Sequence, residues 1–520
     1  MSCIPVLGSC MKTSANIVCY LILFAMTLTV CMWHNDFPIA YHPDEVGKVL
    51  QVTGKIDRNH RHPPMLLDLS HLVHQVRGHS DDLPDVVASG RLVSAIAGAL
   101  ATILLAVSAH ILAGPLAGVL VGLMVGLCPS LTVLSHYMKE DSLLILGIAS
   151  VMLAATIFWR KCRWWTAAIL AMTSIFTLLT KYIGVVVVLA GIVLLIAKLR
   201  TVEKRQRPSI LIAFTIALIA AFSLLGFQWW GNWNDAIKGL AYEWNHVRSG
   251  HIDLKFTLIG SLQYYAFQIP WQLNYWPILP GLLGVFSLIR SKDSTLRIVA
   301  RFVLGLCLIY GLLMVVGRVA QDRYALPVVI MICWFAGIWM AHWISTQNSK
   351  QLRQRLSVLL CCCVVGMMGY RAYQVMYQFD HDGRPAMGQW VRENLNASSV
   401  VVEDMYCAMP DQRNPMMVKL YGKWEPQIQI RRYAAEFGRV DQLRAKGVTH
   451  VAICNYSYDR FVNIKGLQPT SDDAKSLARI EHCRTFYSQL ISTKPVIWSH
   501  QPRYNLPGLT SPTLTLFALE

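Results

Sequence analysis

The chain has 520 residues, 54% of them hydrophobic and only 15% charged, with 47 Lys and Arg against 30 Asp and Glu. Soluble globular proteins carry about 25% charged residues, so this balance excludes an ordinary soluble enzyme and points to a polytopic membrane protein. Most cysteines, such as Cys19, Cys31, Cys307, Cys333 and the run Cys361 to Cys363, lie in apolar segments, and no CxxC pair or Cys/His cluster suggests a zinc site.

Apolar runs fall at 16–33, 88–112, 114–134, 142–159, 164–180, 182–197, 209–228, 268–289, 298–317, 324–345 and 355–376. Several approach the ~20 residues needed to cross the hydrocarbon. They predict an α-helical bundle of about eleven transmembrane helices, up to thirteen on a generous count; 255–289 has room for one span and an interfacial helix. The first run lacks a small-x-small site after it and reads as an anchor rather than a cleaved signal. The loops 160–163, 198–207, 290–297 and 350–355 hold fourteen Lys and Arg but only two acids, Glu203 and Asp293. By the positive-inside rule these loops are cytoplasmic. Much of the basic charge is therefore topological, and no nucleic-acid partner is needed to explain it. The N-terminus, with Lys12, is then also inside.

Residues 1–376 read as the membrane domain. Its outside loop 34–87 carries two short amphipathic segments, "DEVGKVLQVTGK" and "PPMLLDLSHLVHQV", suited to the interface. The loop 229–267 is rich in Trp and Tyr, which favour the headgroup layer. Residues 377–520 change character. "RPAMGQWVRENL" and "VDQLRAKG" read as helices, while "SSVVVED", "VTHVAICN" and "TLTLFAL" read as strands, so an extracytoplasmic α/β domain is expected. Cys407, Cys454 and Cys483 lie there, where a disulfide is chemically open although its pairing is not readable.

The polar residues worth following stand at the ends of spans. "YHPDEVGKVL" brings Asp44 and Glu45 just after the first span; "HYMKED" brings Lys139, Glu140 and Asp141 to the next outside turn. Either pair alone is equally well a solvated turn or a helix start, with acids near the positive dipole end. The topology, however, puts both on one side. "RNHRHPPM" adds His62, more simply a surface histidine. "LLTKYIG" adds Lys181, which can merely snorkel. "GRVAQDRYALP" adds Arg323 and Tyr324, and the aromatic loop adds His246, Arg248 and His251. Together they make an outward patch of carboxylates ringed by cations. A carboxylate beside an acceptor hydroxyl can take its proton, an effect of about 10²–10⁴-fold. A cation at 4 Å from a departing phosphate contributes about 4 kcal/mol at an effective dielectric of 20. The implied substrates are an anionic donor in the membrane and a hydroxyl compound from outside.

At these residues the chain resembles the GT-C fold glycosyltransferases, in the branch of the protein O-mannosyltransferases and the lipid A aminoarabinose transferases. Asp44-Glu45 matches that branch's Asp-Glu pair, His62-Pro63-Pro64 its "HPP" element, and Asp141 or Glu140 its acid on the second outside turn. "GRLVSAIAGAL", "TKYIGVVVVLAG" and "DRYALPVV" also read like spans of the branch. The resemblance implies a polyprenyl- or dolichyl-phosphate sugar as donor, and an inverting single displacement onto a lipid, glycan or protein acceptor. It implies Asp44 as base, Glu45 with Asp141 or Glu140 as supporting acids, and Lys181 on the donor phosphate. Arg323, Lys139 and Arg248 are further phosphate candidates; His62, Tyr324 and His246 are candidates for substrate contact. No cofactor is required. Some members bind a divalent metal, for which Asp44, Glu45, His62 and Asp141 would be the nearest ligands. The internal domain of the protein mannosyltransferases has no room here, which argues against a protein acceptor. A bacterial plasma membrane is the expected location, with the C-terminal domain periplasmic. The competing readings are a flippase of lipid-linked sugars, which would favour midplane charges and repeated halves, and a non-enzymatic scaffold.

Overall fold

Apolar runs become helices because the hydrocarbon offers backbone N–H and C=O groups no other partner. A computed structural model of the protein describes residues 6–36, 42–78, 82–250, 254–346, 351–407, 425–463, 467–470, 474–506 and 510–519, with a few single positions besides, and side chains from residue 15 onward. Among these, eight helices are long and apolar enough to cross a bilayer, or nine if one bent pair is a single span, and two shorter apolar helices accompany them. In chain order the helices are α1 (Val6–Met32), α2 (Asp44–Val52), α3 (Met65–Arg77), α4 (Leu83–Ala113), α5 (Pro115–Gly126) and α6 (Pro129–Ser135). Next come α7 (Glu140–Lys161), α8 (Trp164–Thr180), α9 (Val185–Leu199), α10 (Arg207–Leu225), α11 (Phe227–Gly231) and α12 (Trp233–Ser249). Then follow α13 (Leu258–Gln272), α14 (Ile278–Leu288), α15 (Ser294–Val316), α16 (Leu326–Thr346), α17 (Gln351–Asp380) and α18 (Gly383–Asn394).

Each predicted run has a helical counterpart, but two are not straight. The run 114–134 is the pair α5 and α6, bent by 57°. Pro129 forces the preceding Cys128 into extended backbone (φ −68, ψ 118), and the helix cannot pass. The run 268–289 is divided where Asn274 and Tyr275 take positive φ, leaving α13 and α14. The bundle has an inside and a lipid face: the apolar stretch of α16 is 83% buried, that of α10 only 17%. Lipid tails give no hydrophobic drive between helices, so close contact depends on small residues. Gly337 of α16 shows this, since an added Cβ would lie 2.8 Å from the Val121 nitrogen of α5.

Past α18 the chain forms a five-stranded sheet in the order β3 (Gln427–Arg431), β2 (Val400–Asp404), β4 (His450–Cys454), β7 (Leu514–Ala518), β6 (Val496–His500). The first three strands are parallel and the last two antiparallel, with Val402 opposite Gln429 and Val451, and Ala452 opposite Leu516. Of its strands, β3 and β6 carry no continuous apolar run and were not expected; nor was the helix Ala474–Thr493 that covers one face. A separate ribbon pairs β1 (Leu254–Phe256), just after α12, with β5 (Leu467–Pro469) of this region. Cys407, Cys454 and Cys483 are buried free thiols, so no disulfide joins them.

Candidate active site

Helix α2 opens with two acids in its first turn, and the helix angle sends them apart. Glu45 turns inward and is fully buried. Arg91 of α4 grips it through Nε at 2.9 Å and Nη2 at 2.7 Å, and the Met138 N–H donates to it at 3.1 Å. Asp44 turns outward; its side chain is 47% exposed, against 5% for Glu140 and 3% for Asp141. The Lys139 ammonium pairs with it, the Arg323 guanidinium stands 3.9 Å away, and the His42 ring lies equally close. Lys139 beside Asp44 holds its carboxyl well below the usual carboxylate range. One turn along α2, Lys48 pairs with Glu140.

The turn 137–139 between α6 and α7 is held from α4. The Met138 side chain fills the space above Gly90, where an added Cβ would meet it at 2.4 Å, and Ser94 Oγ donates to the Lys139 carbonyl at 3.3 Å. Glu140 and Asp141 then begin α7, close to its positive dipole end. Lys181, in extended backbone where α8 ends, donates to Asp141 Oδ1 at 2.7 Å. Arg323 comes from the 3₁₀ turn before α16. Lys181 Nζ and Arg323 Cζ each lie 5.4 Å from the Tyr324 ring centre, within reach of a cation–π attraction. Lys48, Arg91, Lys139 and Lys181 each pair closely with one carboxylate, whereas Arg323 reaches only Asp44, at 3.9 Å, and that carboxylate is already paired with Lys139. The Arg323 Nε–H is buried and finds no acceptor among the described residues, as does Asp141 Oδ2 no donor.

Two segments wall the cluster. The loop before α3 places His62 beside Glu140, Lys48 and Lys181, and burial pushes its imidazole down to about 3, leaving a neutral ring at physiological pH. Tyr182 Oη fastens this loop by donating to the His60 carbonyl at 2.7 Å. From the far side, α12 lies against that carbonyl through Gly239, where an added Cβ would come within 1.9 Å of the oxygen. Glu243 and His246 follow four and seven residues on, along the same helix face. Glu243 faces Lys181 and Arg323, with Glu140 and Lys139 also near; burial raises its carboxyl above the ordinary value despite those cations. His246 faces Arg323 and Arg61, and burial lowers its proton affinity. The outer face of α12, with Trp233, Leu240 and Trp244 exposed, suits the headgroup layer.

Asp44, Glu45, Lys139, Glu140, Asp141, Lys181, Arg323, Tyr324, His62 and His246 therefore converge, while Arg248 does not. It lies exposed over Trp244 and makes no described contact with the cluster, because it sits on the outer face of α12. His251 lies outside the described residues. Three members carried a sequence signal that was passed over. Arg91 is a lone charge inside an apolar span, a position that demands a partner. Lys48 stands four residues after Asp44, and Glu243 is the single acid of "AYEWNHVR". A divalent metal, which the resemblance leaves open, finds no ready ligand set among the described residues. Each candidate carboxylate faces an ammonium or guanidinium, and no group of three or more His, Cys, Asp or Glu side chains among the described residues converges as a ligand set.

Residues 61–227, which carry the HPP, KED and TKY elements, match the family described as dolichyl-phosphate-mannose-protein mannosyltransferase. No curated protein matches the chain. Among solved structures, the oligosaccharyltransferase of Archaeoglobus fulgidus tethered to an acceptor peptide is 9% identical, over 96% of this chain and 74% of that one, with a TM-score of 0.51. The same organism's AglB, in complex with an inhibitory peptide and a dolichol-phosphate, is 10% identical over 87% and 71%, at 0.50. ArnT from Cupriavidus metallidurans bound to undecaprenyl phosphate is 13% identical over 97% and 98%, at 0.49. These likenesses show that the chain shares the multi-pass, GT-C type fold of these transferases, and the family match covers the part of it that carries the cluster.

Proposed function

We propose that the protein transfers a sugar from a polyprenyl-phosphate-linked donor to an acceptor hydroxyl at the extracytoplasmic face of a bacterial plasma membrane, by a single inverting displacement. The observation that carries this reading is Arg323: a cation with an unsatisfied buried N–H, whose nearest paired carboxylate, the exposed Asp44, is already held by Lys139. An anion is what such a site lacks. The family model's own name specifies a dolichyl-phosphate sugar as donor. Sidedness is supported by chain order. The cluster gathers at the start of α7, the end of α8 and the start of α16, whereas the basic loops follow the other ends of those helices.

In this reading Lys181, Lys139 and Arg323 hold the donor phosphate. The acceptor oxygen attacks the anomeric carbon from the opposite face while the bond to the phosphate oxygen breaks. The leaving polyprenyl phosphate keeps the electron pair and is stabilised by those cations. The acceptor proton passes to Asp44. Asp141, with its free Oδ2, is better placed than Glu140 to meet substrate; Glu45 acts through position, holding the turn 137–139 by its bond to Met138. Replacing Lys181 by Ala is expected to raise the donor KM about tenfold or more while leaving the acceptor KM nearly unchanged, in keeping with loss of a charged hydrogen bond of about 1.5–3 kcal/mol. Equal effects on both substrates would contradict a phosphate contact.

An order of binding follows from the pairing of Asp44. With Lys139 bonded to it, its carboxylate is a poor base. A phosphate entering beside Lys139 and Arg323 draws both cations toward itself and raises the proton affinity of Asp44. The donor must then bind before the acceptor. Initial-rate kinetics should show a dead-end acceptor analogue inhibiting uncompetitively against the donor. Competitive or mixed inhibition against the donor would indicate that the order is wrong.

A further inference from the structure

Next to Arg323 stands Asp322, whose carboxylate points away from the cluster. Its Oδ1 accepts the hydroxyl of Tyr264 on α13, and its Oδ2 accepts the N–H of Gly508 at 3.0 Å. Its backbone carbonyl accepts Gln272 Nε2 at 2.9 Å, and Gln272 is in turn tied to Ser130 of α6 at 2.8 Å. Bonds that fix the turn carrying Arg323 therefore run to α13 and the C-terminal region, and through Gln272 to α6.

Gly508 is itself firmly placed. Tyr456, just after β4, donates to the carbonyls of Gly508 at 3.1 Å and Thr510 at 2.9 Å. The Ser511 N–H donates to Asp382 at 3.1 Å, and Asp382 is paired to Arg384 at 2.7 Å. Gly508 takes φ +84, and an added Cβ would lie 2.6 Å from the Val133 side chain of α6, so only glycine fits between the sheet region and the bundle. A second tie repeats the logic on α12. Ribbon strand β1 pairs with β5, the Phe256 N–H bonds the Arg318 carbonyl at 2.9 Å, and the Arg318 N–H bonds Val247 of α12 at 2.9 Å.

We propose that Asp322 is a positioning residue through which the C-terminal α/β region, by way of Gly508, sets Arg323 for the donor phosphate. The inference rests on the phosphate reading of Arg323 given above. It makes the C-terminal region part of the active-site scaffold rather than an appendage, because the carboxylate that receives Gly508 is adjacent in sequence to the phosphate cation.

The test is a double-mutant cycle on the full-length protein in liposomes, with undecaprenyl phosphate as the probe and its Kd and number of sites as the readouts. Asp322→Asn removes one acceptor and places an N–H₂ group against a donor. It is expected to raise Kd about tenfold with the number of sites per protein unchanged. Adding it to Arg323→Ala should weaken binding no further than Arg323→Ala alone, since two residues acting as one unit are not additive. Tyr264→Phe, which removes a single donor to Asp322, should give a smaller rise in the same direction and stands in if the first variant does not fold. Additive losses, or fewer sites at an unchanged Kd, would overturn the positioning role and leave the phosphate reading intact. An Arg323→Ala protein that binds the probe like wild type would overturn both.

Discussion

Asp44→Asn is expected to lower sugar transfer by about 10²–10⁴-fold at equal protein and saturating substrates, the range for loss of the positioned base proposed above. The amide keeps the shape of the side chain and can still accept a hydrogen bond from Lys139, but it cannot take the acceptor's proton. The fold should survive, because the Asp44 side chain is 47% exposed and the amide oxygen still accepts from the buried Lys139 ammonium. Donor affinity should hold or improve, since a negative charge is removed beside Lys139 and Arg323. A drop in turnover without weaker donor binding separates loss of chemistry from loss of a site. Turnover within a few-fold of wild type would remove Asp44 from the role of base.

Arg91→Ala has the opposite character. It is expected to cost about 3–5 kcal/mol of stability, because it strands the Glu45 carboxylate, fully buried against the bundle, without its two charged hydrogen bonds. The damage would spread to the turn 137–139, which Glu45 holds through the Met138 N–H, and so to Lys139 and the start of α7. Thermal or chemical denaturation of the purified protein in detergent checks this. The double substitution Arg91→Ala with Glu45→Gln should recover part of the loss, as no buried charge then lacks a partner. An unchanged midpoint for Arg91→Ala alone would show that the pair is solvated and carries no weight in the fold.

These two outcomes mark where sequence was and was not informative. The spans were legible because about twenty apolar residues in a row have few other uses, and the basic loops gave their direction. The cluster was legible because its residues stand at the ends of spans, so topology alone carries Asp44, Lys139, Asp141, Lys181 and Arg323 to a common end. The division of labour between adjacent residues was not. Asp44 and Glu45 look alike in sequence; one helical step makes the first a solvent-facing group and the second a buried clamp. Arg248 and Glu243 sit five residues apart on one helix, and only the packing of Gly239 on His60 decides which of them faces the site. The breaks at Cys128 and at Asn274–Tyr275 were missed for a related reason: hydropathy is blind to backbone angle. In the C-terminal region the strands β3 and β6 are edge strands with mixed polarity, and nothing in "QIQIR" or "VIWSH" separates them from loop until β2 and β7 pair with them.

In the proposed reaction the cluster holds a lipid-linked sugar by its phosphate while the glycosidic bond is broken. The most direct measurement follows a polyprenyl-phosphate sugar, labelled in the sugar, in liposomes containing the purified protein and an acceptor extract on the outer side. The label should leave the lipid and appear on acceptor, in step with release of polyprenyl phosphate and only when Asp44 is intact. If the label instead crosses to the other leaflet still joined to its lipid, the protein moves the donor rather than spending it, and the catalytic role given to this site is wrong.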